Sequence, residues 1–213
     1  LMTTNSKGLQ TVGYDRNTNV EGVARFADGT PNGELQEMAA MFPLVRRFKL
    51  DFRSLAKSEP ALRNYAALAN QVGVTTSADL ANDLEDEDVD RLIRVTSGDD
   101  YPLRLVPALN GIQSPGEEVV ARMPGLKARS TDKLKFGMVK LMNDGSIQGY
   151  TSRMKWPGHI NGRENGIWNT PPEQLADQVE KIHAAGIQIH IHTNGDEASE
   201  AGINAIEVAC RKH

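Results

Sequence analysis

Along this chain of 213 residues the spacing of apolar positions alternates between a helical and a strand period, and that alternation predicts the elements. Residues 34–47 are spaced as a helix that Pro43 kinks or ends. A second helix spans Glu59–Val72, with Leu62, Tyr65, Ala66 and Ala69 on one face and Gly73 closing it. Four short runs rich in branched or apolar residues predict strands: Gly73–Ala78, Leu103–Leu109, Lys135–Met142 and Ile187–His192. The acidic run Asp83–Asp90 opens a helix holding Val89, Leu92 and Ile93. Residues 113–127 show no clear period. Thr170-Pro171-Pro172-Glu173 has the form of a capping box, followed by Leu175, Val179 and Ile182 at helical spacing and a stop at Gly186. Asp196 is the expected N-cap of a last helix burying Ala198, Ile203, Ile206 and Ala209. Residues 1–33, rich in Gly, Asn, Thr and Asp, predict irregular or hairpin structure.

Strands alternating with helices imply right-handed βαβ units on a parallel sheet, open or closed as a barrel. Four strands do not close an eight-stranded barrel, and no glycine-rich nucleotide fingerprint follows any of them. The expected fold is therefore α/β, with residues 1–55 an inserted, irregular segment carrying a helix and residues 56–213 the sheet and its helices.

The formal net charge of −4 and the scattered basic residues exclude a nucleic-acid binder working by phosphate neutralisation. No apolar run reaches membrane-spanning length, and no signal core opens the chain, so no membrane partner is expected. The single cysteine, Cys210, excludes an intramolecular disulfide framework and favours a cytoplasmic setting. The start at Leu1 and the stop at His213 have the look of cuts through a longer protein.

Two places carry candidate chemistry. In Gln188-Ile189-His190-Ile191-His192 the alternation of a strand puts both imidazoles on one face and the isoleucines on the other. Parallel strands are normally apolar on both faces, so His190 and His192 read either as site residues at a strand end or as hydrogen-bonded core histidines. In Met138-Val139-Lys140-Leu141-Met142, Lys140 shares its face with two methionines. A buried ammonium there is costly. It reads as a lysine at a strand end, snorkelling or paired with Asp144, or as a lysine carbamylated by carbon dioxide, whose carboxylate can bind cations. Asp144 and Asp196 each follow a strand, and turn or cap roles explain both without catalysis.

Several segments, taken in order, resemble the YtcJ-like branch of the amidohydrolase superfamily, which includes N-substituted formamide deformylase. They are Asn5-Ser6-Lys7-Gly8-Leu9, Asp28-Gly29-Thr30-Pro31-Asn32-Gly33-Glu34-Leu35-Gln36-Glu37, Gly73-Val74-Thr75-Thr76, Leu141-Met142-Asn143-Asp144-Gly145-Ser146 with Thr151, Gly166-Ile167-Trp168, and His192-Thr193-Asn194-Gly195-Asp196-Glu197-Ala198. The resemblance implies a partial (β/α)8 TIM-type barrel, about strands two to five, and hydrolysis of non-peptide, amide-like C–N bonds by a metal-bound hydroxide. It implies a divalent metal, zinc first, with Lys140 as carbamylated ligand and His192 as a second ligand. His190, Asp144 and Asp196 would line the site, and the substrate would be a small amide-like molecule.

The remaining ligands and the proton shuttle implied by the resemblance are not among these residues. The isolated chain is therefore expected to lack a complete catalytic site and activity, although its lineage is enzymatic. A part-barrel with open strand edges also predicts a homo-oligomer. Two rivals stay in view: a non-catalytic α/β module binding a small ligand, and a barrel lyase or isomerase using Lys140 as a Schiff-base nucleophile.

Overall fold

The β-branched and apolar runs become strands and the 3.6-period segments become the helices that cover them. The computed structural model describes residues 1–50, 57–112, 114–160 and 165–213. The chain forms two units, one of Leu1–Asp51, Asn143–Pro171 and Thr193–Gly202, the other of Phe52–Met142, Pro172–His192 and Ile203–His213. The expected boundary at residue 55 lies outside the described residues.

The first unit holds β1 (Met2–Thr3), α1 (Ser6–Val12), β2 (Val23–Arg25), β3 (Pro31–Leu35) and α2 (Glu37–Arg47). The strands pair antiparallel in the order β1-β3-β2. Leu9, Tyr14, Val23, Leu35, Ala40 and Leu44 form its core. The helix α1 is absent from the sequence reading, because seven residues containing Gly8 and Thr11 show little periodicity; Asn5 caps it by accepting the Gly8 N–H at 3.0 Å. The helix expected from Glu34 begins at Glu37, since Glu34 and Leu35 finish β3, and it runs through Pro43 to Arg47.

The second unit is the barrel portion. It contains α3 (Glu59–Gln71), β4 (Thr76–Asn82), α4 (Asp86–Thr96), β5 (Arg104–Asn110), α5 (Gly116–Ala128), β6 (Met138–Met142), α6 (Pro172–Ala184), β7 (Gln188–His192) and the part of α7 (Asp196–Lys212) from Ile203 onward. The strands lie in the order β4-β5-β6-β7, all parallel. This is a four-stranded part of a TIM-type barrel, flanked by helices.

One face of the sheet is apolar. Leu105, Leu109, Val139 and Leu141 are buried in one cluster with Val89 and Val95 of α4, Val119 and Met123 of α5, and Leu175, Val179 and Ile182 of α6. Helix α6 follows the pattern read from sequence, and Gly186 behind it takes a φ of +64°.

Three expectations need correction. The strand placed at Gly73–Ala78 lies at Thr76–Asn82, because the Gly73 turn, at φ +81°, still belongs to the end of α3. Residues 116–128 form α5: Val119, Met123 and Leu126 are buried at helical spacing, and Pro124-Gly125 in the interior masks that period. On α7 the buried positions are Ala198, Gly202, Ala205 and Ala209, whereas Ile203 and Ile206 are exposed. Small residues let this helix pack closely, and its large apolar side chains point away.

Candidate functional site

The site starts from the pleat of β6. Val139 and Leu141 face the buried cluster, so Met138, Lys140 and Met142 face the other side. Parallel registers align Asn110 with Lys140, Lys140 with His190, and Met142 with His192. Asn110, Lys140 and His190 thus form one row across three strands. His192 stands one pleat further toward the C-terminal end, where TIM-type barrels carry their sites.

Lys140 is only 6% exposed, and among the described residues its ammonium makes no ion pair or hydrogen bond. Burial holds its ammonium below the usual lysine range. The exposed His190 is likewise held below the ordinary histidine value, first by desolvation, then by the charge of Lys140 and by His192. His192 is half-buried. These features make the neutral amine of Lys140 easier to reach than in a free lysine, beside the His190 imidazole, whose neutral form is likewise favoured.

Asn110 went unnoticed in the sequence. Its Nδ2 donates to Asp83 at 3.2 Å, and its Oδ1 accepts the Ile112 N–H at 3.1 Å. The available signal was a polar residue ending the otherwise apolar run from Leu105 to Leu109.

Asp144 and Asp196 belong to the first unit. Asp144 is fully buried, and its carboxylate accepts three backbone N–H groups, from Asn194 at 2.9 Å, Gly195 at 2.8 Å and Arg153 at 2.9 Å. It therefore fastens the segment after β6 to the turn after β7. The exposed Asp196 accepts N–H groups from Lys155 at 2.8 Å and Glu197 at 3.0 Å, and the Lys155 bond leads in keeping its carboxyl below the usual range.

Other residues brace the same unit. Arg153 forms a two-pronged pair with Glu197, at 3.0 and 3.2 Å, and lies 4.9 Å over the Trp168 ring. Glu37, itself at φ +59°, accepts from Thr151 at 2.6 Å and from Asn169 at 3.0 Å. No local pattern announces Glu37, since both partners lie more than a hundred residues away.

A metal can be tested against these side chains. Carbon dioxide adds to a neutral amine with loss of a proton, and a buried carbamate then needs a cation beside it. Lys140, with its depressed pKa, and His192 on the same sheet face fit two ligand places. Among the described residues no group of three or more His, Cys, Asp or Glu forms a metal cluster.

Known proteins agree with this architecture. All of residues 1–213 match the amidohydrolase family model. The chain is 25% identical over 211 residues to the putative amidohydrolase YtcJ of Bacillus subtilis (strain 168), a match covering 95% of this chain and 38% of that protein. Uncharacterized metal-dependent hydrolases from Pyrococcus horikoshii OT3 and Pyrococcus furiosus share the fold, with TM-scores of 0.59 and 0.61 at 15% and 16% identity. Those matches take in 97% and 96% of this chain and 40% and 41% of theirs, so the chain spans about two fifths of the length of these relatives.

Proposed function

From the premise that the chain belongs to the amidohydrolase family, we propose that it forms part of a metal-dependent hydrolase acting on small molecules with non-peptide, amide-like C–N bonds. The observation that carries this reading is the position of Lys140: buried, pushed toward neutrality, and in register with His190 on the face that also bears His192. Carbamylated Lys140 and His192 would be ligands of a divalent cation, zinc by the mixture of nitrogen and oxygen donors. When bound, that cation supplies Lewis-acid polarisation of the scissile carbonyl and activation of water. His190, whose neutral form burial and the neighbouring charge favour, offers a lone pair to orient a donor group of the substrate. Asp144 and Asp196 act by holding loops of their own unit, since backbone N–H groups occupy their carboxylates.

A catalytic zinc site uses three protein ligands, and this reading assigns two. The rest would come from elsewhere in a longer protein, and the 213-residue chain alone should be inactive. Incubated with zinc or manganese, it should not turn over formamides or N-acyl amines. Robust metal-dependent turnover lost in His192→Ala would overturn the incompleteness. Isothermal titration with zinc in bicarbonate buffer should show uptake that Lys140→Ala and His192→Ala each weaken; unchanged uptake in both variants would overturn the ligand assignment.

A depressed lysine pKa would equally suit a Schiff-base lyase. Borohydride reduction with simple aldehydes and ketones should leave Lys140 unmodified, and trapping at Lys140 would favour that reaction instead. The exposed, unpaired Cys210 suits a reducing, cytoplasmic setting.

A further inference from the structure

At the N-terminal ends of the strands, the end opposite to that of His192, the barrel portion holds a cavity of about 460 Å³. Its walls are consecutive in the chain, from the start of β5 through the last turn of α5 to the segment before β6, with Thr76 of β4 added. The floor is apolar, made by Leu105, Leu134, Phe136 and the half-buried Val106. Around it, among the described residues, stand four basic side chains, Arg104, Lys127, Lys133 and Lys135, and one acid, Asp132. The chain as a whole carries a formal net charge of −4, so this gathering of positive charge runs against its composition.

The four basic groups differ in what they already hold. Lys133 Nζ is occupied by main chain, donating to the carbonyls of Gly98 and Tyr101, each at 2.8 Å. Arg104 is fixed by two threonines, Nε donating to Thr76 Oγ1 at 3.0 Å and Nη2 to Thr75 Oγ1 at 3.3 Å, and its Nη1 has no partner among the described residues. Lys127 lies across Gly137, where an added Cβ would stand 3.3 Å from its Cε, so its stem reaches the segment that carries Lys135. Among the described residues, neither the Lys127 nor the Lys135 ammonium makes a hydrogen bond or ion pair, and Asp132 pairs with none of the four. Elsewhere in the chain Lys57, Lys155, Lys181 and Lys212 all pair with acids. The carbonyls ending α5, whose partial charge would repel an anion, are covered: those of Leu126 and Lys127 accept the N–H groups of Arg129 and Ser130 at 3.0 and 3.2 Å.

We propose that this cavity binds a small organic carboxylate with an apolar body, such as an aryl acid. Its carboxylate is taken by Arg104 Nη1 and by the Lys127 and Lys135 ammonium groups, and its body lies on the floor of Leu134, Phe136 and Val106. Three cations with no acid paired to them repel one another, and an anion placed among them relieves that repulsion. A guanidinium already held by Thr75 and Thr76 loses little freedom when it takes up a carboxylate. An apolar concavity with a few convergent polar groups is the usual form of a small-molecule site. An inorganic anion would leave the floor wet, and an uncharged aromatic would leave the cations unanswered. The proposal is independent of the ligand reading of Lys140 and His192, which lie toward the other end of the strands.

Titration of the 213-residue chain with 2-naphthoate, in chelator, tests the site by calorimetry and by amide NMR. The expected result is saturable binding with shifts centred on residues 134–137, about tenfold or more tighter than for uncharged 2-naphthamide or for inorganic phosphate. Lys127→Gln and Lys135→Gln, both at exposed positions, should each weaken naphthoate about threefold or more, and Arg104→Gln about tenfold, with circular dichroism spectra unchanged. Should Arg104→Gln disturb the fold, the two lysine changes combined in one chain decide the matter. Lys7→Gln, in the other unit, should leave the affinity as it is. Naphthamide binding as tightly as naphthoate would overturn the role of the cations, and phosphate binding as tightly would overturn the apolar body. Absence of saturable binding, indifference to the lysine changes, or shifts centred on Lys140 and His192 instead would overturn the site itself.

Discussion

Asp144 holds the backbone N–H of Gly195 at 2.8 Å from a carboxylate with no access to solvent, across fifty-one positions of chain. With the bonds from Asn194 and Arg153, this one side chain satisfies three main-chain donors. Asp144→Ala should lower unfolding stability by about 3 kcal/mol or more, since each unsatisfied buried donor costs about 1–3 kcal/mol. Urea denaturation measures it, and a loss below about 1 kcal/mol would contradict the clamp.

Gly195 makes a second prediction. A Cβ built there would stand 1.7 Å from the Arg153 carbonyl oxygen, a backbone atom fixed by its own neighbours. Gly195→Ala should destabilise by about 2–3 kcal/mol. Gly125, inside α5 with nothing within 4 Å of a new Cβ, should behave oppositely, Gly125→Ala raising stability by up to about 1 kcal/mol. Thermal melts of the two variants shifting in the same direction would contradict the argument.

These two residues also mark where the sequence stops being readable. The strands β6 and β7 are legible because their apolar runs and polar alternation are local, and α6 is legible through Pro172, Leu175, Val179 and Ile182. Pro124-Gly125 hides α5, and apolarity alone assigns Ile203 and Ile206 to the wrong face of α7. At the site, Lys140 and His192 stand out by type and position, but pattern alone leaves each open to a structural reading. Asp144, through Asn194 and Gly195, and Glu37 act on partners fifty to more than a hundred residues away, and such contacts leave no periodic trace.

Lys140 gives a pH-dependent prediction. Its folded pKa lies below the 10.5 of a free lysine because burial disfavours the ammonium. The unfolded chain therefore binds the proton more readily, so stability is penalised at neutral pH and recovers as pH rises from the folded value toward 10.5. Lys140→Met removes that penalty. In chelator and without carbon dioxide, the variant's advantage in urea midpoint should shrink between about pH 7 and about pH 10. A constant difference would sink the assignment.

The neighbouring imidazole reports the same charge. In metal-free protein His190 should titrate below the ordinary 6.5, and Lys140→Met should move it upward by removing a nearby positive charge. Proton NMR of the imidazole resonances follows both. No movement in the variant would mean that the charge of Lys140 has no part in setting the value.

The clamp at Asp144 has a bearing on how this scaffold can be altered. Two segments meet at one carboxylate, through Arg153 on one and Asn194 and Gly195 on the other, so neither is an independent module. A graft that swaps the segment after β6 without its match after β7 would strand buried amides on whichever side kept the old sequence. Loop diversity in this unit should therefore be inherited in linked sets, with a shared aspartate as the knot.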